Sequence, residues 1–301
     1  MSVLSFRVCL GLNNRVSPSC LVQDNRSGAF ELARAVGVLV LNKGRSIRRC
    51  DGLARVGTGA WRDGCETPWG QVFAVRDNVL GEVLEGPDLR PLVSLTCQER
   101  VSWTVLEDML FWSNGQKSGL IEAGEARPWG GKVWPIASQR DAYESPPPGQ
   151  LLGTHAGRVW IASGSRLRHT AMSGGFHFCH IASASDMPAE ITMLRGVQDG
   201  FYVGTTEGTW FLSGMDPEEM PKRRVAHEAV IPGTDLACRA DAFGRFDPVL
   251  AACWMSPRGP RLGLPGGMVV HLTEDRLALD APASAGASVL HGRRWLTVLR
   301  P

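Results

Sequence analysis

The feature that most limits how this chain can fold is a recurring unit: a short run of aromatic or β-branched residues, a Gly, Asp or Asn turn, and a second short run. The clearest copies are Gln71 to Val75 turning at Arg76-Asp77-Asn78 into Val79 to Leu84, Met109 to Trp112 turning at Ser113-Asn114-Gly115 into Leu120 to Ala123, and Gly157 to Ala162 with its return from Arg166. Others are Phe201 to Gly204 with Thr206-Glu207-Gly208 and return Thr209 to Leu212, Ala251 to Met255 with Pro257-Arg258-Gly259 and return Leu262, and Arg294 to Leu299. Each reads as a β-hairpin, because the turn residues supply the backbone angles that reverse a strand. With one central aromatic as marker, Phe73, Phe111, Trp160, Tyr202, Trp254 and Trp295 are spaced by 38, 49, 42, 52 and 41 residues. Hairpins on a period of about 40 to 50 residues are the repeat of a β-propeller. The sequence therefore predicts an all-β chain, a β-propeller of six or seven blades with few or no helices; a two-sheet sandwich fits the composition but leaves the period unexplained.

The period has two stretched intervals. The 49-residue one contains Gln139 to Gly149, whose Pro146-Pro147-Pro148 cannot sit in a central strand, and the 52-residue one contains the polar, Pro-punctuated Met215 to Arg224. We read residues 1–301 as one propeller domain with inserted straps at about 139–149 and 215–224. An earlier hairpin, Val36 to Leu41 turning at Asn42-Lys43-Gly44 into Ser46 to Arg49, supplies part of a further blade. A propeller must close its ring, and both chain ends resemble strands, Val3 to Leu12 and Ser288 to Leu299 with a His291-Gly292 turn. Closure between N- and C-terminal strands is the expectation.

Charge and composition narrow the function. Lys plus Arg number 32 against 30 Asp plus Glu, so no global field draws the chain to nucleic acid or an anionic membrane. The basic clusters Arg45/Arg48/Arg49, Lys222-Arg223-Arg224 and Arg293-Arg294 read as edge protection, and any DNA contact through them is not sequence-specific. No window is apolar enough to span a membrane, and Met1 to Leu12 lacks a basic start, so the chain reads as soluble and without a secretion signal; Asn25-Arg26-Ser27 then carries no meaning as a glycosylation acceptor. Eight cysteines with no CxxC spacing read as free thiols, mostly buried. The phosphate-loop, dinucleotide, serine-hydrolase and zinc-protease signatures are absent from the sequence. Phe176-His177-Phe178-Cys179-His180 has ligand-type residues, but a strand sends His177 and Cys179 to one face and His180 to the other, so neither metal nor cofactor is expected. Glu107-Asp108, Glu218-Glu219 and Glu274-Asp275 read as solvated turn residues, not a hydrolytic pair, and Thr206 to Trp210 as an ordinary hairpin turn. No catalytic residues are expected, and the chain is not read as an enzyme.

Three stretches, in order, resemble structural proteins of tailed bacteriophages. The first is Asn13-Asn14-Arg15-Val16-Ser17-Pro18 followed by Val38 to Gly52. The second is Met109 to Gly115 leading to Gly119-Leu120-Ile121 and Ala126 to Gly130, then Pro147 to Leu152 and Gly157 to Ala162. The third is Gly263 to Arg276. The resemblance implies a propeller built into a phage tail as a nozzle or a tail-tip or fibre-anchoring ring, made in the host cytoplasm and residing in the virion. Its implied partners are adaptor, tube or fibre proteins and further copies in a homo-oligomeric ring. The contacts are then expected from the straps, through Pro146, Pro147 and Pro148, and through Glu218, Glu219, Lys222, Arg223 and Arg224. The alternative, from a different class, is a propeller-fold glycan-binding module or glycosidase-like enzyme.

Overall fold

The computed structural model describes residues 8–24, 27, 29–32, 38–41, 46–49, 57–172, 174–243, 246–273, 277, 279, 283–291 and 294–301. Several sequence readings fall outside them: Val3 to Arg7, Asn25, Arg26, Val36, Asn42 to Arg45, Cys50 to Gly52, Glu274 to Arg276, Gly292 and Arg293. Five four-stranded antiparallel sheets follow one another, each a meander whose strand order is its chain order. Blade 1 is Trp61–Glu66, Val72–Arg76, Val79–Val83 and Leu89–Ser94. Blade 2 is Ser102–Leu106, Met109–Ser113, Ser118–Glu122 and Glu125–Pro128. Blade 3 is Leu151–His155, Arg158–Ser163, Arg166–His169 and Ser185–Asp186. Blade 4 is Ile191–Val197, Gly200–Thr205, Thr209–Ser213 and Lys222–Ala226. Blade 5 is Leu236–Arg239, Leu250–Ser256, Gly259–Leu264 and Met268–His271. A hairpin of Ala285–His291 and Arg294–Arg300 follows. The chain is a β-propeller.

All six marker aromatics lie on the second strand of their sheet, and five of them are buried to within 2% of complete enclosure. That strand has neighbours on both edges, and its side chains alternate between the sheets in front and behind. In blade 2, Leu110 and Trp112 pack with Phe73, Val75 and Leu80 of blade 1, while Phe111 packs with Leu152, Val159 and Ile161 of blade 3. Trp160 and Leu167 meet Phe201 and Val203 of blade 4; Tyr202 and Phe211 meet Trp254 of blade 5; and Cys253 and Leu262 meet Leu290 and Trp295 of the last hairpin. The core is thus distributed as one apolar layer between each pair of successive sheets.

The stack of sheets curls back on itself. Arg100, in the link from blade 1 to blade 2, donates to the Gly233 carbonyl in the link from blade 4 to blade 5 at 3.3 Å. Arg100 is held by Asp63 (3.7 Å), which also accepts from the Val101 amide at 2.9 Å and pairs with Arg62. Asp63 reaches these partners because the inner strand of blade 1 bulges between Arg62 and Cys65, with Asp63 at φ 51°. Neighbouring inner strands are stitched by polar side chains, including the Thr104–Thr154 hydroxyl pair at 2.5 Å.

The hairpin turns behave as read. Asp77 and Asn78 both adopt left-handed φ (50° and 63°), as a two-residue turn matched to strand twist requires. The straps differ from expectation in extent. Pro146 is buried and Pro148 exposed, and the following Gly149 carbonyl accepts from Ser113 Oγ and the Gly115 amide, so this strap is anchored to its own blade 2. Its Tyr143–Glu144 pairs with Cys179–His180 from an insertion inside blade 3, and Trp134 stacks on Tyr143 at 3.7 Å. In the second strap, Lys222, Arg223 and Arg224 form most of the outer strand of blade 4, which is polar because its far edge meets water. At the termini, Val8–Leu12 pairs parallel with Ala29–Leu32, and the last hairpin pairs within itself; among the described residues no ladder joins the two ends. The only helical pieces among the described residues are short 3-10 turns, and none is long or apolar enough to cross a membrane. Cys9, Cys20, Cys65, Cys97, Cys179, Cys238 and Cys253 are free thiols.

Two outcomes follow from this packing. Truncating Phe111, enclosed between blades 2 and 3, should cost about 3–5 kcal/mol in urea unfolding of Phe111→Ala. Burial pushes the Cys65 thiol up to about 11, partly offset by Arg195, and the Cys179 thiol up to about 12. Above a pH of about 9 an unfolded chain has released these protons while the fold retains them, so stability is flat below that pH and falls as it rises toward 12. Urea midpoints measured from pH 7.5 to pH 11 should show that fall, and Cys179→Ser should lessen it.

Candidate functional site

In a meander, the turn joining strands one and two and the turn joining strands three and four lie at the same end of the sheet. At that end, between blades 1 and 2, a cleft of about 380 Å³ is lined by Trp69, Gln71, Phe73, Asp108, Ile121, Glu122, Ala123 and Gly124. The cleft exists because the two blades turn differently. Blade 2 reverses tightly at Glu107-Asp108, with Glu107 at φ 55°, and at Ala123-Gly124, at φ 49° and 79°. Blade 1 instead uses the longer link Thr67 to Gln71.

That loop is preset. The Thr67 amide donates to the Gln71 carbonyl at 2.8 Å, the Thr67 hydroxyl accepts from the Gln71 amide at 3.0 Å, and the Gly70 amide donates to the Thr67 carbonyl at 3.0 Å. Gly70 takes φ 87°, a conformation that costs other residues strain. Trp69 therefore sits at the tip with 41% of its surface exposed. Its indole Nε1 donates to Gln71 Oε1 at 2.8 Å, and Gln71 Nε2 donates to Glu82 Oε1 at 2.8 Å. Glu82 pairs with Arg90, and Arg90 Nη2 reaches across to the Gly124 carbonyl at 3.0 Å. One continuous polar chain thus ties the Trp69 wall to the opposite Ala123-Gly124 wall, and a Cβ on Gly124 would meet Arg90 Nη2 at 2.9 Å. The floor is apolar, Phe73 and Ile121. Asp108 is exposed at the rim, and Glu122 pairs with Arg127 at 2.7 Å.

The arrangement offers an aromatic face, an apolar floor and two carboxylates on rigid walls, a binding surface built before any ligand arrives. From sequence, Asp108 reads as a solvated turn residue, and no motif singles out Trp69, Gln71 or Glu122. The available signal was Thr67-Pro68-Trp69-Gly70: a tryptophan in a turn has no strand to pack into.

The residues singled out from sequence stand elsewhere. Glu218 and Glu219 are exposed in a turn organised by Asp216, whose carboxylate accepts the Glu218 amide at 3.1 Å. Lys222 Nζ donates to the Asp186 carbonyl of blade 3, Arg223 to the Gly266 carbonyl of blade 5 and Arg224 to the Glu207 carbonyl, at 2.9, 2.7 and 2.5 Å. Lys222 and Arg223 thus brace adjoining blades of the same chain and Arg224 a turn of its own blade, and the structure does not bring them together with Pro146 to Pro148. His177 is buried with Nδ1 accepting from the Gly130 amide, and His180 packs on Tyr143. Among the described residues no three His, Cys, Asp or Glu are grouped to hold a metal ion.

No family model and no curated protein matches the chain. Solved structures of similar fold include the extracellular domain assigned to a hybrid two-component system of B. thetaiotaomicron (10% identity, TM-score 0.46), covering 70% of this chain and 27% of that one. A second is an auxiliary nutrient binding protein from Bacteroides thetaiotaomicron (10% identity, TM-score 0.45, covering 71% and 57%). A third is an inactive variant of virginiamycin B lyase from Staphylococcus aureus with quinupristin (9% identity, TM-score 0.46, covering 88% and 91%). The chain therefore spans about a quarter of the first of these. At such identities and scores the likenesses carry no argument about function, and the fold stands on the sheet order itself. These structures are not phage tail proteins, and the resemblance to tailed-phage structural proteins is corrected accordingly. The physical reason lies in the motifs that carried it. Ser113-Asn114-Gly115 recurs because Asn114 Oδ1 accepts the Gln116 and Lys117 amides and Gly115 takes φ 81°, which is general hairpin chemistry.

The polar chain across the cleft can be opened by one substitution. Arg90→Ala removes both the Glu82 pair and the Gly124 contact, so amide hydrogen exchange should quicken at residues 67–71 and 122–125 while blades 4 and 5 keep their protection.

Proposed function

We propose that this protein is a glycan-binding β-propeller that holds its ligand in the cleft between blades 1 and 2. The observation that carries the reading is Trp69, a large aromatic held out of the core by its own loop and fixed by its indole hydrogen bond to Gln71. Exposing an indole forfeits burial worth about 1.5–3 kcal/mol for a large apolar side chain, and the loop spends five internal residues on presenting it. An aromatic face beside carboxylate acceptors suits the apolar face and hydroxyl rim of a sugar ring.

Binding without catalysis fits the carboxylates best. A hydrolytic pair needs one carboxyl in an apolar setting that keeps it protonated. Asp108 is exposed, and Glu122 is paired with Arg127.

Isothermal titration with neutral β-linked oligosaccharides tests the reading. Wild-type protein should bind at least one such ligand, and Trp69→Ala should weaken that affinity at least about tenfold, equivalent to roughly 1.4 kcal/mol, with unchanged urea stability. Equal affinity in Trp69→Ala would place the sugar elsewhere and end this assignment.

A further inference from the structure

The polar groups lining the cleft differ in whether they are already spent. Gln71 has its oxygen committed to Trp69 and its nitrogen to Glu82. Glu82 is neutralised by Arg90, and Glu122 by Arg127. Asp108 is different: it lines the cleft, stands exposed, and makes neither hydrogen bond nor ion pair to any described residue. Neither lysine nor arginine is among the lining residues. The cleft therefore holds one uncompensated carboxylate and the Trp69 indole, above a floor of Phe73 and Ile121.

A cation answers both features, attracted by the carboxylate and by the quadrupole of an indole ring. A uronate or sulfated sugar would bring like charge to Asp108 with no lining cation to offset it. On the glycan reading above, we propose that the ligand is an amino sugar with a free, protonated amine, seated between the Trp69 ring and the Asp108 carboxylate. Glu122 does not duplicate this role, since its charge is already met by Arg127.

The test compares three trisaccharides of glucose-type units at pH 6 and low salt: the glucosamine trimer, the N-acetylglucosamine trimer and cellotriose. Each is titrated calorimetrically into wild type, Asp108→Asn and Trp69→Ala. Exposed ion pairs and cation–π contacts each contribute modestly, so wild type should favour the glucosamine trimer by about 5- to 20-fold over the other two. Asp108→Asn should bring that preference close to unity by weakening the glucosamine trimer more than cellotriose, and added salt should shrink it in wild type. Trp69→Ala should weaken all three. If wild type binds the three sugars equally, or Asp108→Asn keeps the preference, the amino-sugar assignment is overturned and the glycan reading stands. If none of the three binds wild type, the glycan reading falls and this inference with it. Asp108 sits on an exposed turn with no hydrogen bond or ion pair to a described residue, so the Asn variant should match wild type in urea midpoint.

Discussion

Everything in this structure depends on covering both faces of the second strand of each sheet. A strand carrying Leu110, Phe111 and Trp112 in succession has no face it can show to water, so a sheet is needed in front and another behind. Each blade supplies half of two apolar layers and completes neither alone. The same demand recurs at Trp160, Tyr202 and Trp254, and it propagates from sheet to sheet until the stack bends round. The sheets stay close because glycines sit where a side chain would collide: a Cβ on Gly153 of blade 3 would meet Leu194 of blade 4 at 2.9 Å, and one on Gly263 of blade 5 would meet Tyr202 of blade 4 at 2.7 Å.

The polar groups then fix how the layers are aligned. Asp63 leaves regular strand geometry to gather Arg62, Arg100 and the Val101 amide, and Arg100 carries that anchorage across to Gly233. At the rim, Lys222 and Arg223 donate to carbonyls of blades 3 and 5, so the charged outer strand of blade 4 serves its own neighbours. Tyr202 combines both roles, since its ring packs on Trp254 while its hydroxyl donates to the Leu264 carbonyl. Its burial raises the phenol above its ordinary ionisation range.

The cleft is a by-product of unequal turns on that regular frame. A two-residue reversal at Glu107-Asp108 beside the longer Thr67 to Gln71 loop leaves a step, and the Trp69–Gln71–Glu82–Arg90 chain keeps the step open at a fixed width. Function can vary there at little cost to the fold, because the apolar layers end at Phe73 and Ile121 beneath it.

The sequence by itself determined the hairpin unit, its period and the aromatic that marks each second strand, because these are local: a turn residue and a period-two pattern act within ten residues. It also marked the stretched intervals at 139–149 and 215–224. Only the tertiary structure decided that the first strap is pinned to Ser113 and paired with Cys179–His180, and that Lys222 to Arg224 belong to a strand. The site was likewise hidden, since Trp69 and Gln71 come from one blade and Asp108 and Glu122 from the next. Their meeting depends on how two sheets are offset, and whether Asp108 is left without a salt-bridge partner depends on which neighbours reach it. Neither quantity is written in any one stretch of sequence; both are set by packing between stretches.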